Sequence, residues 1–237
     1  MPAHGYFDRG GGRVAPMPDT GSPRIRVPSP QAQGHSPAPR PRGRAPRVLA
    51  LGASTGGPQA LFALFSALPR NFPLPVVVTQ HMPETFTAML AGHITRLGGM
   101  HCAEAADGAP LRPGQALLAP GGRHLLVEAR AEALVARLSD AAPENFCRPA
   151  VDPMLTSLAG ATAGRALAVI LTGMGRDGLA GSRALVAAGG MVLAQDEATS
   201  VVWGMPGAVA QAGIAAEILP LAALAPRIIA LATAEGA

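Results

Sequence analysis

The sequence predicts an α/β fold: an open, mostly parallel, doubly wound sheet with helices on both faces and a short antiparallel hairpin addition. Apolar runs of strand length alternate with helix-length segments that carry one apolar face, which is the pattern of parallel βαβ units. A hydrophobic fraction of 49 % provides for a sizeable core. No apolar run approaches the ~18 residues of a membrane helix, so no membrane insertion is expected.

The chain divides into a tail and a folded domain. Residues 1–46 contain ten Pro and seven Gly without an apolar period, which predicts a disordered Pro/Gly/Arg-rich tail. Eight Arg against two Asp give residues 1–47 a charge of +6, and eleven Arg against thirteen acids give residues 48–237 a charge of −2, which sum to +4. Without interleaved aromatic residues, the basic tail favours a solvated linker over a nucleic-acid or membrane contact. The folded domain, and with it any catalytic site, is expected over 47–237.

The first half of the domain alternates strands and helices. Each apolar run is followed by a helical pattern that ends at a proline or a glycine pair. The predicted elements are a strand at Val48–Leu51, a helix at 57–68, a strand at Leu74–Gln80 and a helix at Glu84–Leu97.

The middle of the domain departs from this pattern before the alternation resumes. Between His101 and Asp140, short apolar runs with turn signals predict short hairpins, added antiparallel at a sheet edge. These runs are Ala116–Ala119, His124–Val127 and Ala133–Leu138. The later predictions are helices at Val151–Ala163, Leu179–Ala188 and Leu221–Ala232, and strands at Leu167–Leu171, Met191–Ala194 and Glu217–Leu219.

Ser54 stands in a glycine-flanked turn between the first strand and the first helix. Its surroundings read Gly52-Ala-Ser-Thr-Gly-Gly57. Glycines permit a tight turn that leaves the hydroxyl uncovered, and the helix N-terminus offers unpaired N–H groups to an oxyanion. The same turn suits a phosphate, so the motif alone leaves a nucleophile and a phosphate cradle both open.

The requirements of a nucleotide site are not met elsewhere in the chain. A dinucleotide site needs an acidic residue roughly 20 residues after the glycines, yet no Asp or Glu lies between Ser54 and Glu84. A P-loop needs lysine, and all 19 basic residues are Arg. The second strand instead ends at His81, and imidazole is the commonest partner of a serine nucleophile.

A serine–histidine pair needs a carboxylate to orient the imidazole, and three are candidates. Asp177 follows the most apolar strand in a glycine-rich loop and is the first choice. Asp152 precedes a helix and is equally typical of a first-turn carboxylate. Asp196 has Glu197 beside it, which suits a structural acid poorly. Spacing alone leaves the choice open.

The remaining reactive side chains are expected to be structural. Cys102 and Cys147 have neither a disulfide framework nor metal-site spacing and are expected to pack as small apolar residues. The histidines are scattered, so neither a metal nor a cofactor is predicted. Arg148 is a candidate substrate clamp or structural ion pair, Trp203 is expected in the core, and His124 is expected to be structural.

A set of segments in register closely resembles the catalytic domain of the bacterial chemotaxis receptor methylesterase, the CheB family, over residues 47–233. The segments are Gly52–Pro58, Thr79–Pro83, Pro110–Ala116, Ala119–His124, Arg148–Asp152, Ile170–Gly178, and Ala194–Ala198 with Val201–Pro206. The resemblance implies Ser54 as nucleophile, His81 as base and Asp177 as carboxylate. Their order differs from the Ser…Asp…His order of α/β-hydrolases, so that fold is not expected.

The resemblance also implies the reaction and its setting. Members of this family are cytoplasmic serine hydrolases that demethylate glutamyl methyl esters on chemoreceptor helices, release methanol and deamidate certain receptor glutamines without a cofactor. Thr55, Gly56 and Met174 are expected to border the oxyanion site. Two other classes compete: a binding module that keeps the fold without turnover, and, least favoured, a nucleotide-binding oxidoreductase.

Regulation is expected to differ from the usual family pattern. Full-length members carry a receiver domain ahead of the catalytic domain, whereas this chain has only the tail there. The expectation is therefore constitutive activity, control in trans by a response-regulator receiver or histidine kinase, or a fragment of a longer gene. Methylated receptor helices are the expected substrate partner, and no nucleic-acid partner is expected.

Overall fold

The computed structural model describes residues 45–131 and 133–234, so the predicted tail lies outside the described residues except for its last two. The strands are β1 Val48–Ala53, β2 Val76–Gln80, β3 His101–Glu104, β4 Gln115–Leu118, β5 His124–Arg130, β6 Ala133–Ser139, β7 Ala166–Ile170, β8 Met191–Gln195 and β9 Glu217–Leu219. The helices are α1 Gly57–Ala67, α2 Glu84–Gly98, α3 Val151–Ala161, α4 Leu179–Ala187, α5 Met205–Gln211 and α6 Leu221–Thr233.

Within the described residues, seven strands form one parallel sheet in the order β3-β4-β2-β1-β7-β8-β9. The described part of the chain enters the sheet at the central strand β1, continues outward to β3, and then returns through β7 to form the other half. Helices α1, α2 and α6 bury their apolar faces on one side, and α3, α4 and α5 do so on the other. The predicted doubly wound class is confirmed. None of the helices in the described ranges is long and apolar enough to cross a membrane.

Alternate residues of the central strand feed the two cores. Leu49, Leu51 and Ala53 of β1 face the α1 side, and Val48 and Ala50 face the α3 side. Because side chains of a strand alternate between faces, a strand buried on both sides reads as a continuous apolar run. This burial makes the sheet a rigid platform at whose carboxyl edge the loops are held.

The predicted hairpin is present, but its expected place at the sheet edge is wrong. Strands β5 and β6 pair antiparallel as a separate two-stranded sheet. Apolar side chains on one hairpin face, such as Leu125 and Ala136, share a core with Met154 and Leu155 of α3. Packing on a helix therefore buries this face. The predicted run Ala116–Ala119, also expected in a hairpin, instead largely forms β4, which pairs parallel with β2.

One helix was not anticipated from the sequence. Helix α5 has only seven residues with Pro206 in its first turn, where proline is tolerated. Trp203 lies half-buried beside this helix, and its indole N–H donates to the carbonyl of Gln195 over 3.0 Å. The expected core position of Trp203 is therefore only partly met, because the ring edge must reach that carbonyl.

Candidate active site

Ser54 and His81 follow the last paired residues of two neighbouring strands. The register of β1 and β2 pairs Ala53 with Gln80. The His81 N–H then donates to the Ala53 carbonyl over 3.1 Å. Neighbouring strands lie about 4.8 Å apart, so the two side chains start from adjacent backbone positions at the carboxyl edge of the sheet.

The backbone of Ser54 is fixed on several sides. Its N–H donates to the carbonyl of Thr172 over 3.0 Å, and its own carbonyl accepts the N–H of Gly57 at 2.8 Å and Nε2 of Gln80 at 2.9 Å. A Cβ built on Gly173 would lie 2.8 Å from the Cβ of Ser54, so only glycine permits this approach. The loop after β7 thus presses directly against the serine turn.

The imidazole of His81 meets the carboxylate of Asp177. Nε2 of His81 lies 2.7 Å from Oδ2 of Asp177, whose side chain is almost completely buried. Of the other two predicted carboxylates, Asp196 accepts the N–H of Thr199 at 3.0 Å and is a turn residue. The structure therefore brings together His81 and Asp177, from the loops after β2 and β7.

Asp177 is held in its ionised form. Its Oδ2 also accepts the N–H of Val151 at 2.6 Å, and its Oδ1 accepts the N–H groups of Asp152 at 3.0 Å and Gly178 at 2.9 Å. Burial opposes ionisation, but the bonds from His81 and these backbone groups outweigh it and lower the pKa of Asp177 below its ordinary value. A buried negative charge therefore stands against the imidazole.

Asp152 is a second buried carboxylate directly behind the first. Its Oδ1 accepts the N–H of Gly181 at 2.7 Å. Burial raises the pKa of Asp152, and the neighbouring charge of Asp177 raises it further, against the lowering effect of its hydrogen bonds. Asp152 thus belongs to the set of groups hydrogen-bonded around Asp177, whereas the imidazole of His81 is bonded to Asp177 itself.

Asn145 bridges the two carboxylates and was missed by sequence reasoning. Its Nδ2 donates to Oδ2 of Asp152 at 2.9 Å and to Oδ1 of Asp177 at 3.0 Å. A neutral amide is well suited here because it supplies donors to two like charges without adding a charge. The available signal was an asparagine in the turn that leads into the Arg148–Asp152 segment.

Cys147 corrects the expectation that both cysteines pack as small apolar residues. Cys102 does so, since it is buried and burial raises its pKa to about 12. The sulfur of Cys147, however, lies 3.4 Å from Nδ1 of His81. Burial, and then the charge of Asp177, raise the pKa of Cys147, so the group against the ring is a neutral thiol.

The residues expected at the oxyanion site surround the serine turn. Thr55 and Met174 are exposed, and Gly56 has a φ of 78° at the N-terminus of α1. Among the hydrogen bonds of the described part of the chain, none uses the backbone N–H of Thr55, Gly56 or Met174. Unpaired donors beside a positive helix end suit a developing negative charge.

Two other predicted residues have structural contacts. Arg148 donates to the carbonyls of Asp140 at 3.1 Å and Ala141 at 3.2 Å. His124 is buried and accepts the N–H of Ala150 at Nδ1 over 3.1 Å, which agrees with the structural role predicted for it. Both side chains hold the segment that carries Asn145. Within residues 45–131 and 133–234, no group of three or more His, Cys, Asp or Glu side chains is placed to hold a metal ion.

Comparisons with known proteins point to one family. The family model described as CheB methylesterase matches residues 49–228. The crystal structure of the Thermotoga maritima CheB methylesterase catalytic domain superposes with a TM-score of 0.77 at 39 % identity, and covers 79 % of this chain and 100 % of that one.

Relatives named protein-glutamate methylesterase/protein-glutamine glutaminase are also similar. That of Azospirillum brasilense is 58 % identical over 184 residues, which is 77 % of this chain and 47 % of the relative. One from Paramagnetospirillum magneticum is 50 % identical over 226 residues, which is 94 % of this chain and 59 % of the relative. The chain thus spans about half the length of the curated relatives it matches. On this fold and these similarities, the chain belongs to the CheB methylesterase family.

Proposed function

We propose that this chain is a protein-glutamate methylesterase that uses Ser54, His81 and Asp177 to hydrolyse glutamyl methyl esters on chemoreceptor helices. The observation that carries the proposal is the 2.7 Å contact of His81 with Asp177, made beside Ser54 at the carboxyl ends of adjacent strands. The names of its relatives support the reaction class, and their second named activity supports deamidation of receptor glutamines.

The contacts of the imidazole support a separate role for each ring nitrogen in the proposed reaction. Because Asp177 is an anion, Nε2 carries the proton that is donated to it, and Nδ1 is left with its lone pair. In the proposed reaction the hydroxyl of Ser54 attacks the ester carbonyl while Nδ1 takes its proton. Asp177 then faces an imidazolium, which its charge stabilises.

The tetrahedral intermediate needs donors for its oxyanion. The unpaired N–H groups of Thr55, Gly56 and Met174 are the proposed donors. Collapse of the intermediate breaks the bond to the methoxy oxygen, which leaves as methanol with the proton from Nδ1 of His81. Water, deprotonated by the same nitrogen, then attacks the glutamyl-enzyme and releases the free glutamate and Ser54. With a glutamine substrate, ammonia leaves in place of methanol.

The setting of the reaction follows from the proposed substrate. The resemblance to the family implies the cytoplasmic helices of receptors, so the proposed location is the cytoplasm. The assignment of 47–237 as catalytic domain and control by a receiver or histidine kinase in trans stay predictions. A binding module without turnover is disfavoured because the proposed nucleophile, base and carboxylate lie at one edge of the sheet beside unpaired N–H donors.

The test is methanol release from a receptor cytoplasmic fragment whose glutamyl esters carry a labelled methyl group. The full chain is expected to release labelled methanol, and Ser54→Ala is expected to abolish the release without a change in thermal stability. Loss of one partly exposed hydroxyl on a turn removes little packing. Absence of release by the unmodified chain, or a loss of only a few-fold in Ser54→Ala, would contradict the proposal.

A further inference from the structure

A tight turn at residues 144–147 carries two contacts of the site. Glu144 and Cys147 exchange both backbone hydrogen bonds, at 3.1 and 2.8 Å. The two residues between them have positive φ values, 50° for Asn145 and 63° for Phe146. This is the pattern of a type I′ turn, for which Asn followed by Gly is the favoured pair. Phe146 occupies the position where this turn type favours glycine.

Phe146 adopts a conformation that is unfavourable for a bulky side chain. A left-handed φ brings the Cβ close to the following carbonyl, which is why non-glycine residues other than Asn and Asp are uncommon there. The side chain is nevertheless fully exposed, with a relative exposure of 103 %, so no packing within the described residues offsets the strain. Strained residues of this kind cluster at functional sites.

The two residues adjoining Phe146 in sequence contact the proposed catalytic groups. Asn145 on one side bonds Asp177, and Cys147 on the other contacts His81. Exposed apolar side chains also stand on two other loops at the serine turn. Met174, which is 68 % exposed, follows the glycine that abuts Ser54. Val201 is also 68 % exposed, and its Cβ would lie 2.6 Å from a Cβ built on Gly56.

We propose that Phe146 contacts the polypeptide segment that flanks the glutamyl ester, and that it is a specificity-determining residue for protein substrates. The inference rests on the proposed function. An esterified glutamate on a helix has side chains three and four positions away on the same face. An apolar side chain at one of those positions would pack on the exposed ring while the ester reaches Ser54. This contact with the substrate would account for an exposed aromatic residue in a strained conformation.

Three variants separate the apolar ring from the backbone conformation. Phe146→Gly relieves the strain and removes the ring, Phe146→Asn tolerates the left-handed conformation but is polar, and Phe146→Leu keeps an apolar side chain. Ala131→Gly is the matched control, because Ala131 has a φ of 49° at the tip of the β5–β6 hairpin. Each is measured as kcat/KM for methanol release from a methylated receptor fragment, and as the rate at which a small fluorophosphonate labels Ser54.

The expected result is a split between the two substrates. Phe146→Gly and Phe146→Asn should lower kcat/KM on the receptor fragment about tenfold, which corresponds to about 1.4 kcal/mol. Phe146→Leu and Ala131→Gly should stay within about twofold, a difference of less than about 0.5 kcal/mol. Labelling of Ser54 should be unchanged throughout. Phe146→Gly, like Ala131→Gly, should raise the Tm by about 1–3 °C. The rise is small because glycine relieves strain in the folded state but also gives the unfolded chain more conformational freedom.

Two results would overturn this inference and leave the proposed function standing. One is an unchanged kcat/KM in Phe146→Gly, and the other is an equal fall in methanol release and in Ser54 labelling, because the residue would then shape the catalytic groups themselves. Failure of the unmodified chain to release methanol would overturn the proposed function and this inference with it, so the two failures are distinguishable.

Discussion

Asp177 meets His81 at Nε2, over 2.7 Å, and leaves Nδ1 on the side of Cys147. In serine proteases of the chymotrypsin type the carboxylate binds Nδ1, and Nε2 takes the proton of the serine. The proposed reaction uses the two ring nitrogens the other way round. Because the carboxylate fixes the tautomer, the proton acceptor of the proposed reaction is Nδ1, and a strong donor to Nδ1 would compete with the proton of Ser54.

Asp177→Asn is expected to lower kcat for methanol release by about 10⁴ while the fold is retained, because an amide favours the wrong tautomer of the imidazole. The backbone N–H groups that bond this carboxylate lose part of their partner, at a cost of about 1–3 kcal/mol in the free energy of unfolding. Steady-state kinetics and thermal unfolding of the same preparation measure the two effects.

The control for this variant is Asp152→Asn, which alters the second buried carboxylate. Asp152 contacts Asn145 and Gly181 and has no hydrogen bond to His81 within the described residues, so its loss should lower kcat far less. A larger effect at Asp152 than at Asp177 would reverse the assignment of the carboxylate.

Substitutions of Cys147 test the role of Nδ1. Cys147→Ala removes a weak donor from Nδ1, so kcat should stay within about threefold, which is under about 0.7 kcal/mol. Cys147→Ser places a stronger hydroxyl donor against the same lone pair and should lower kcat by about tenfold relative to Cys147→Ala. Steady-state methanol release compares the two variants. A loss in Cys147→Ala as large as that in Asp177→Asn would mean that the thiol takes part in the chemistry.

The ionisation of Cys147 should depend on Asp177. Burial and the negative charge of Asp177 both raise the pKa of this thiol above its ordinary value. Replacement of Asp177 by Asn removes the charge but leaves the burial, so the pKa should fall and alkylation by iodoacetamide should begin at lower pH. The measurement is the alkylation rate of Cys147 against pH by peptide mass. Cys102 serves as the internal control, because its raised pKa is due to burial alone.

Asn145→Gly tests the bridge between the two carboxylates. Glycine accepts the φ of 50° but lacks the amide that donates to Asp152 and Asp177, so the two like charges lose their shared donor. The free energy of unfolding should fall by about 1.5–3 kcal/mol, the usual contribution of hydrogen bonds to charged groups. Chemical denaturation of Asn145→Gly and Ala131→Gly in parallel checks this. Equal stability of the two variants would show that the bridge contributes nothing.

Strand and helix order was predictable because it depends on local pattern. Parallel strands such as β1 and β7 are buried on both faces and appear as uninterrupted apolar runs, and glycine or proline ends most helices. The place of the β5–β6 hairpin was not predictable, because an apolar face on a hairpin does not specify which surface covers it. Helix α5 was missed because seven residues are too few for a period to emerge.

The residues of the candidate site likewise fall into those that local sequence pattern predicts and those that it does not. Ser54, His81 and Asp177 each follow a strand, so topology alone brings their loops to one edge of the sheet. The contacts of Asn145 and Cys147 depend on a turn whose path no local pattern encodes. Spacing likewise left Asp152 and Asp177 as alternatives, and only the hydrogen bond to His81 separates them in the structure.

The central claim is that Ser54 is a nucleophile activated by His81 and Asp177, and the most direct test is its rate of labelling by a fluorophosphonate, mapped by peptide mass. The account predicts a single adduct on Ser54 in the unmodified chain, no adduct in Ser54→Ala, and labelling slowed by at least about 100-fold in His81→Ala and Asp177→Asn, the usual range for loss of a general base. Labelling of another residue, or equal rates in all of the chains that retain Ser54, would contradict it.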